Sequence, residues 1–492
     1  MGEWVDKITA SFEKHFKTYF FIITILAGFN LFFNLGQDAI KDWDEARHGI
    51  SAYEMLQSHD FIKPTYMGET EYWNLKPPLG LWLIAFAYKI FGYNVFALRF
   101  FSALAAFLVI LLSVYLARKL FNSIVAVISG FILATMFAVL FDHAGRAGDF
   151  DSLLVLLVIL SVICLLKMEN NIQFFYLNGL LISLGFLLKS FACLQILGII
   201  AVYLIVTRKI RKIKIWDYLL FCIILVVPIF LWVLMRFYSD GNTFFQKMFS
   251  FDLFQRGLTA IEGHKADVFY YLYNMMAGSF PWILLVFIIP FYKRKYYKDE
   301  RKGLLKWMEL DAFWREPLIV IWFAVPFLMF TLVQTKCPWY IKPLYPALGI
   351  FIGWLLTSVI KPTFPKKKFF ATLLFGFLAI SEVLMIGVMI FKKNETGPDQ
   401  QILLYLNSVS YQNNTAIFAV NWIQSPYQAQ VFIAEVLKGL KTYSIPENKA
   451  FISRSKTNDL LLMPNSLTNR NFIEQYHLKV IKKNQAWLLA RK

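Results

Sequence analysis

The chain has 492 residues, 58% of them from the hydrophobic set AVILMFWYC, and a net charge of +18. Soluble domains hold roughly 45–50% apolar residues even with glycine counted, so this composition excludes an ordinary soluble protein and indicates a polytopic membrane protein. The positive charge is no nucleic-acid footprint, because basic clusters alternate with apolar runs instead of lining one surface.

In chain order, apolar runs predict eleven membrane helices near residues 18–35, 95–117, 123–141, 151–168, 174–191, 194–207, 216–238, 269–292, 317–333, 343–360 and 369–391. The run 79–92 is too short to span comfortably and reads as a re-entrant or interfacial helix. Lys and Arg in the short loops set the sidedness. Arg118 and Lys119, Lys167, residues 208–214 and 293–306, Lys361 and residues 366–368 form one side, expected to be cytoplasmic. The opposite side collects 36–78, 142–150, 189–193, 239–268, 334–342 and everything from 392 onward. No small-residue cleavage site follows the first apolar run, which predicts a retained anchor helix.

The expected division is a membrane domain over 1–391 and a small extracytoplasmic α/β domain over 392–492. In the latter, strand-like TAIFAVN, KTYSI, DLLLMP and KVIKKNQAWLLAR alternate with helix-like YQAQVFIAEVLKG, a pattern that allows a parallel pair. The four cysteines, Cys164, Cys193, Cys222 and Cys337, offer neither a disulfide framework nor a CxxC metal site.

The unusual polar residues fall on the non-cytoplasmic side. The first loop offers Asp42, Asp44, Glu45, Arg47 and His48 in DWDEARHG, then Lys76 in NLKPPLG; the second offers Asp149 and Asp151 in DHAGRAGDFD. Later come Lys189, then Arg256, His264 and Lys265, then Lys336, Tyr340 and Lys342 in QTKCPWYIKPLYP. Each has a plain structural reading. Asp44 precedes an amphipathic stretch with Ala46, Ile50 and Tyr53 on one stripe, so it fits a helix N-cap, with Glu45 complementing the dipole. Lys76 fits a snorkelling lysine, although Pro77 and Pro78 bias its backbone toward an extended form. Asp149 and Asp151 open a helix, where acids are favoured anyway. Together, however, two acidic loops and several cations outside the membrane run against the positive-inside bias and suit a lipid-borne phosphate. A carboxylate there could deprotonate or orient a hydroxyl while Lys and Arg stabilise a departing phosphate.

The stretch DEARHGISAYEMLQSHDFIKPTYMGETEYWNLKPPLGLWLIAFAYKIFGYNVFALRFFSAL resembles the opening of the bacterial aminoarabinose transferase and protein O-mannosyltransferase-like glycosyltransferases. GRAGDFDSLL is similar to their second acidic loop, GFLLKS to a lysine-bearing helix end, and GHKADVFYYL with KCPWYIKPLYPALGI to later signatures; the ordered set covers about residues 18–355. The resemblance implies a GT-C fold with an extracytoplasmic cavity and a polyprenyl-phosphate-linked sugar donor. It also implies that Asp44 is the catalytic aspartate and Asp151, five residues after Arg146, the acid of the second loop, with Asp149 a near alternative. Lys76 would lie near the carrier phosphate, with Arg256, His264 and Lys189 lining the same cavity. Leu75 stands where the aminoarabinose transferases commonly carry Glu, so no metal site is carried over. No cofactor is expected, and the ligand pattern does not support a divalent metal.

The expected function is sugar transfer from a polyprenyl phosphate to a lipid, glycan or protein acceptor at the outer face of the bacterial inner membrane, in one inverting displacement. Asp44 would act as base, kept ionised by Arg47 and Lys76 and supported by Glu45, with Asp42 as solvated surface. The implied partners are the lipid-linked donor, the acceptor and membrane lipids, without nucleic acid. The alternative, a transporter or flippase of a lipid-linked anion, predicts charges within the spans and broken helices near the midplane.

Overall fold

Apolar runs of this length become helices because a backbone in hydrocarbon must satisfy its N–H and C=O groups internally. The computed structural model describes residues 3–259, 266–296, 317–360, 364–391, 397–408, 415–422 and 427–492. His264, Lys265 and residues 297–306 of the expected basic loop lie outside them. Among the described residues, five helices are long and apolar enough to cross a membrane: Val95–Leu120, Gln173–Val206, Ile215–Asp240, Pro338–Ile360 and Lys367–Ile390. The pair Glu3–Lys14 and Phe16–Phe32, bent by 88°, makes a sixth if taken as one span. The protein is thus multi-pass, and the described residues hold fewer full-length spans than the eleven expected. Several expected spans are broken or short: 123–141 forms Ser123–Ala134 and Phe137–Leu140, and 269–292 forms Tyr270–Gly278 and Leu284–Tyr296. Residues 174–191 and 194–207 lie in one 34-residue stretch.

The chain forms two compact units. The first comprises Met1–Phe33, Leu75–Leu79 and Ser102–Val388; the second comprises Asn34–Asn74, Gly80–Phe101 and Met389–Lys492. The second unit therefore begins its last stretch close to the expected 391/392 division, yet also takes in the first loop and the 80–101 segment.

In the first unit, 94% of the apolar window of Pro338–Ile360 is buried against 11% for Ile215–Asp240, which distinguishes a packed central helix from one whose apolar side chains face outward. The central helix carries Gly349 and Gly353, a GxxxG spacing. A Cβ on Gly353 would lie 2.3 Å from the Ser129 hydroxyl, and one on Gly349 2.5 Å from Leu133 Cδ2. The missing side chains let this helix lie directly on Ser123–Ala134. The pairing of 349 with 133 and 353 with 129 makes the two helices antiparallel. The segment before residue 345 is therefore brought beside the segment after residue 134. Asn122 caps the start of Ser123–Ala134, its side-chain oxygen accepting from Val125 N at 2.9 Å. Elsewhere in this unit the Lys367 amine pairs with Asp6 of the Glu3–Lys14 helix at 2.5 Å, and Lys209 pairs with Glu169.

The second unit contains a five-stranded sheet of β3 (Ala416–Val420), β4 (Lys441–Ile445), β5 (Leu460–Pro464), β6 (Lys479–Lys483) and β7 (Trp487–Arg491), in the order β4-β3-β5-β7-β6. β3 pairs parallel with β4 and β5, while β7 pairs antiparallel with β5 and β6. The expected α/β character with parallel pairing is present, and the last expected strand is a hairpin. Phe418, Leu461, Met463 and Leu488 pack with Phe451 and Phe472 in one core. Ile417, Leu460, Leu462 and Leu489 are buried as well, so the central strands are covered on both faces, as near-continuous apolar runs require. The same unit holds a two-residue ribbon of β1 (Thr65–Tyr66) and β2 (Glu69–Thr70), and the helix Asp44–Ser58.

Candidate functional site

The two acidic loops belong to different units. In the first unit, the antiparallel GxxxG packing sets residues 336–344 against 137–150. Asp142 and His143 both adopt positive φ, 50° and 56°, a conformation costing about 1–3 kcal/mol per non-glycine residue and common at functional sites. The surroundings hold this turn. The Arg146 guanidinium donates to the carbonyls of Asn30, Leu31 and Phe33 at 3.1, 3.3 and 2.8 Å, satisfying the end of the Phe16–Phe32 helix. The Lys342 amine donates to the carbonyls of Ala138 and Phe141 at 2.8 and 3.1 Å.

Within that frame the imidazole of His143 stacks on Trp339, ring centroids 3.8 Å apart, and its Nδ1 lies 3.0 Å from Asp149 Oδ2. Asp149 is buried. Trp339 continues to Tyr340, whose hydroxyl lies 3.2 Å from Arg256 Nη1. Arg256 arrives there because Thr335 N and Gln334 N donate to the carbonyls of Arg256 and Gly257, tying 256–257 to 334–335. Its Nε is 3.4 Å from Asp252. On the other side of Asp149, the helices Asp151–Lys167 and Gln173–Lys189 form an antiparallel hairpin that brings the start of the first to the end of the second. The Lys189 amine donates to Asp151 Oδ1 at 2.5 Å, each charge favourably placed on its helix dipole. Between the two acids, the Phe150 ring lies 5.8 Å from the Lys76 amine.

Of the residues expected from sequence, Lys76, Asp149, Asp151, Lys189, Arg256, Tyr340 and Lys342 are therefore linked through this loop network, to which the sequence reading had not assigned His143 or Trp339. Both lie inside motifs singled out above. Their pairing follows from helix packing, which no local periodicity encodes. Two expected phosphate or cavity cations have other duties. Lys342 serves backbone carbonyls, and Lys336 donates to the carbonyls of Thr331 and Val333 at 2.7 and 3.0 Å, at the end of Pro317–Leu332; burial pushes its amine down. For the buried pair, replacing Lys189 by Met and Asp151 by Asn, singly and together, should give a double-mutant coupling of about 0.5–3 kcal/mol in unfolding measurements. Additive effects would mean that the pair contributes no stability of its own.

In the second unit, Asp44 is the first residue of its helix, not its N-cap. The cap position is Trp43, with φ 69°, and no side chain caps the helix there. Glu45 is 1% exposed and bound in a fork by Arg99, with Nε and Nη2 at 2.6 and 2.9 Å. It therefore anchors the helix as well as standing in its first turn, where an acid complements the dipole. Arg47, expected to keep Asp44 ionised, pairs with Glu71 at 2.8 Å and lies over the rings of Tyr66 and Trp73. Asp42, expected to be solvated surface, accepts from Ala429 N at 2.8 Å at the start of the Gln428–Leu437 helix, and burial pushes its carboxyl up.

Residues 75–232 match the family described as dolichyl-phosphate-mannose-protein mannosyltransferase. An undecaprenyl phosphate-alpha-4-amino-4-deoxy-L-arabinose arabinosyl transferase of Pseudomonas fluorescens is 27% identical over 339 residues, covering 67% of this chain and 55% of the relative. One from Enterobacter sp. is 26% identical over 385 residues, covering 75% of this chain and 66% of the relative. The chain thus spans between about half and two thirds of the length of these relatives. The crystal structure of ArnT from Cupriavidus metallidurans bound to undecaprenyl phosphate superposes with a TM-score of 0.70 at 16% identity, covering 95% of this chain and 97% of that one. The apo oligosaccharyltransferase of Archaeoglobus fulgidus gives 0.52 at 10% identity, covering 91% and 69%. The fold is therefore that of ArnT, and the resemblance read from the motifs is reproduced by sequence and by structure.

Proposed function

We propose, with the match of residues 75–232 to the mannosyltransferase family as premise, that this chain is a glycosyltransferase using a polyprenyl-phosphate-linked sugar. The acceptor is an envelope glycolipid, glycan or protein, and the reaction runs at the outer face of the bacterial inner membrane. The observation that carries this reading is the first unit's loop network. Lys76 stands beside Phe150, and Phe150 stands between Asp149, held by His143, and Asp151, held by Lys189. A set of fixed cations and carboxylates on polar loops of an otherwise apolar chain suits a phosphate at headgroup depth.

In the reaction, the acceptor oxygen attacks the anomeric carbon as the bond from that carbon to the phosphate oxygen breaks. The electron pair leaves with the polyprenyl phosphate. The acceptor proton passes to the Asp44 carboxylate when the acceptor is a hydroxyl. One displacement inverts the anomeric centre. Lys76 and Arg256 offset the charge gathering on the departing phosphate.

The test is transfer by the purified full-length chain in micelles from an undecaprenyl-phosphate aminoarabinose or mannose donor, followed by mass spectrometry of envelope lipid, glycan and peptide acceptors. Lys76→Ala should raise the donor KM by about tenfold or more, the loss of one charge-assisted contact of roughly 1.5–3 kcal/mol. An unchanged donor dependence would remove Lys76 from the phosphate site.

A further inference from the structure

The second unit contains a carboxyl pair that the reaction does not use. The Gln428–Leu437 helix packs along Asp44–Ser58 at three levels. At one end Asp42 accepts from Ala429 N. In the middle, Phe432 covers Gly49 so closely that a Cβ there would lie 2.3 Å from its ring. At the far end, within a π turn at Ile433–Leu437, Glu435 meets Glu54 and the two carboxyls hydrogen-bond to each other. The outer oxygens of this meeting are spoken for: Glu54 Oε1 accepts from Gly68 N at 3.0 Å, and Glu435 Oε1 accepts from the Thr442 hydroxyl. The Thr65 hydroxyl and the Met67 N–H also reach the Glu54 carboxyl, and the Oε2 atoms of both acids are buried. Two carboxylate oxygens can face each other this way only with a proton between them, as like charges in such a site cannot both ionise.

We propose that the proton shared by Glu54 and Glu435 latches the Gln428–Leu437 helix onto Asp44–Ser58 and thereby positions Asp44. The last step rests on Asp44 being the base of the proposed reaction; the latch itself does not. It makes the C-terminal segment a positioning element for the first loop.

The groups around the pair are defined. Tyr53 comes from the Asp44–Ser58 helix, Thr65 and Tyr66 from β1, and Thr442 from β4. The Lys438 amine donates to the Leu404 carbonyl at 3.4 Å, and among the described residues no cation contributes to either carboxyl. Burial raises both carboxyls above their ordinary value of 4.5, Glu435 furthest, and for Glu435 the charge of Glu54 adds to it. The docked state therefore binds the proton more tightly than the undocked one. Docking is complete at low pH and weakens as pH rises from 4.5 through the raised values. Asp42, whose carboxyl burial also pushes up, acts in the same sense.

The experiment is hydrogen exchange on the full-length chain in micelles between pH 5 and 9, corrected for intrinsic exchange, for wild type, Glu54→Gln, Glu435→Gln and the double variant. The amide keeps the shape and the hydrogen bond of the protonated acid. Wild type should lose protection of residues 428–437 and 44–58 by tenfold or more across the range. Both single variants should hold protection at alkaline pH, and the double variant should keep only the small dependence that Asp42 contributes. Asp42 is intact in all of them, so the difference from wild type reports the pair alone. Superimposable profiles, or a wild type without pH dependence, would overturn the latch. In parallel, kcat/KM for sugar transfer should lose its alkaline fall in the Gln variants. If no sugar is transferred by any of the proteins, the functional reading fails while the exchange profiles still decide the latch.

Discussion

Asp44→Asn is expected to lower sugar transfer by about 10²–10⁴-fold, the usual contribution of a general base, while the protein keeps its fold. The separation of activity from folding follows from where the helix derives its support. Asp44 opens Asp44–Ser58 without capping it, Trp43 occupying the cap position. The helix is held by Glu45 on Arg99, by Arg47 on Glu71, and by the burial of Ala46, Ile50 and Met55. An amide at position 44 disturbs none of these. Helical content by circular dichroism and the thermal midpoint should remain at wild-type values, and donor binding should persist. Transfer near the wild-type rate in the purified system would remove Asp44 from the chemistry and leave it a helix-opening acid.

Arg99→Met should destabilise the second unit by about 3–5 kcal/mol, the cost of stranding a buried charge. Arg99 is 1% exposed and uses all five of its donors. Two go to Glu45, at 2.6 and 2.9 Å; three go to the carbonyls of Leu35, Asp38 and Ala39, at 3.1, 3.1 and 2.9 Å. Methionine leaves Glu45 buried with the Lys41 N–H at 2.9 Å as a remaining donor, and three carbonyls without Arg99. Lysine should recover little, because a single ammonium cannot reproduce the fork. The double variant Arg99→Met with Glu45→Gln should recover part of the loss by removing the stranded charge. The measurements are the thermal midpoint in micelles and proteolytic cleavage within residues 34–44. A midpoint unchanged in Arg99→Met would mean that water replaces the guanidinium and that the first loop is not held by this fork.

Residue by residue, the first loop illustrates what could be read in advance. Its acidity and its place after an apolar helix mark DWDEARHG as a special segment, and the amphipathic stripe of Ala46 and Ile50 marks a helix whose inner face is buried. The partners of its charges were not legible. Glu45 meets Arg99, 54 residues away, and Asp42 meets Ala429, 387 residues away. Both pairings are made by packing between distant segments, for which the chain carries no periodic signal. The same holds for His143, which sits six residues from Asp149 with no helix between them; two left-handed residues and the Trp339 ring set their approach.

By itself, the sequence determined the polytopic membrane class, the α/β character of the C-terminal segment, the family resemblance and the set of loops in which chemistry is expected. These are properties of composition, hydrophobic period and short ordered motifs, which act locally. Tertiary structure decided how long each helix runs, which acid pairs with which cation, and that the C-terminal segment folds with the first loop. Those outcomes depend on close backbone approach, as at Gly349 and Gly353, and on buried charges finding the one arrangement that satisfies them. The free energy of such contacts resides in pairs of residues far apart in the chain, and it exists only once the helices have packed.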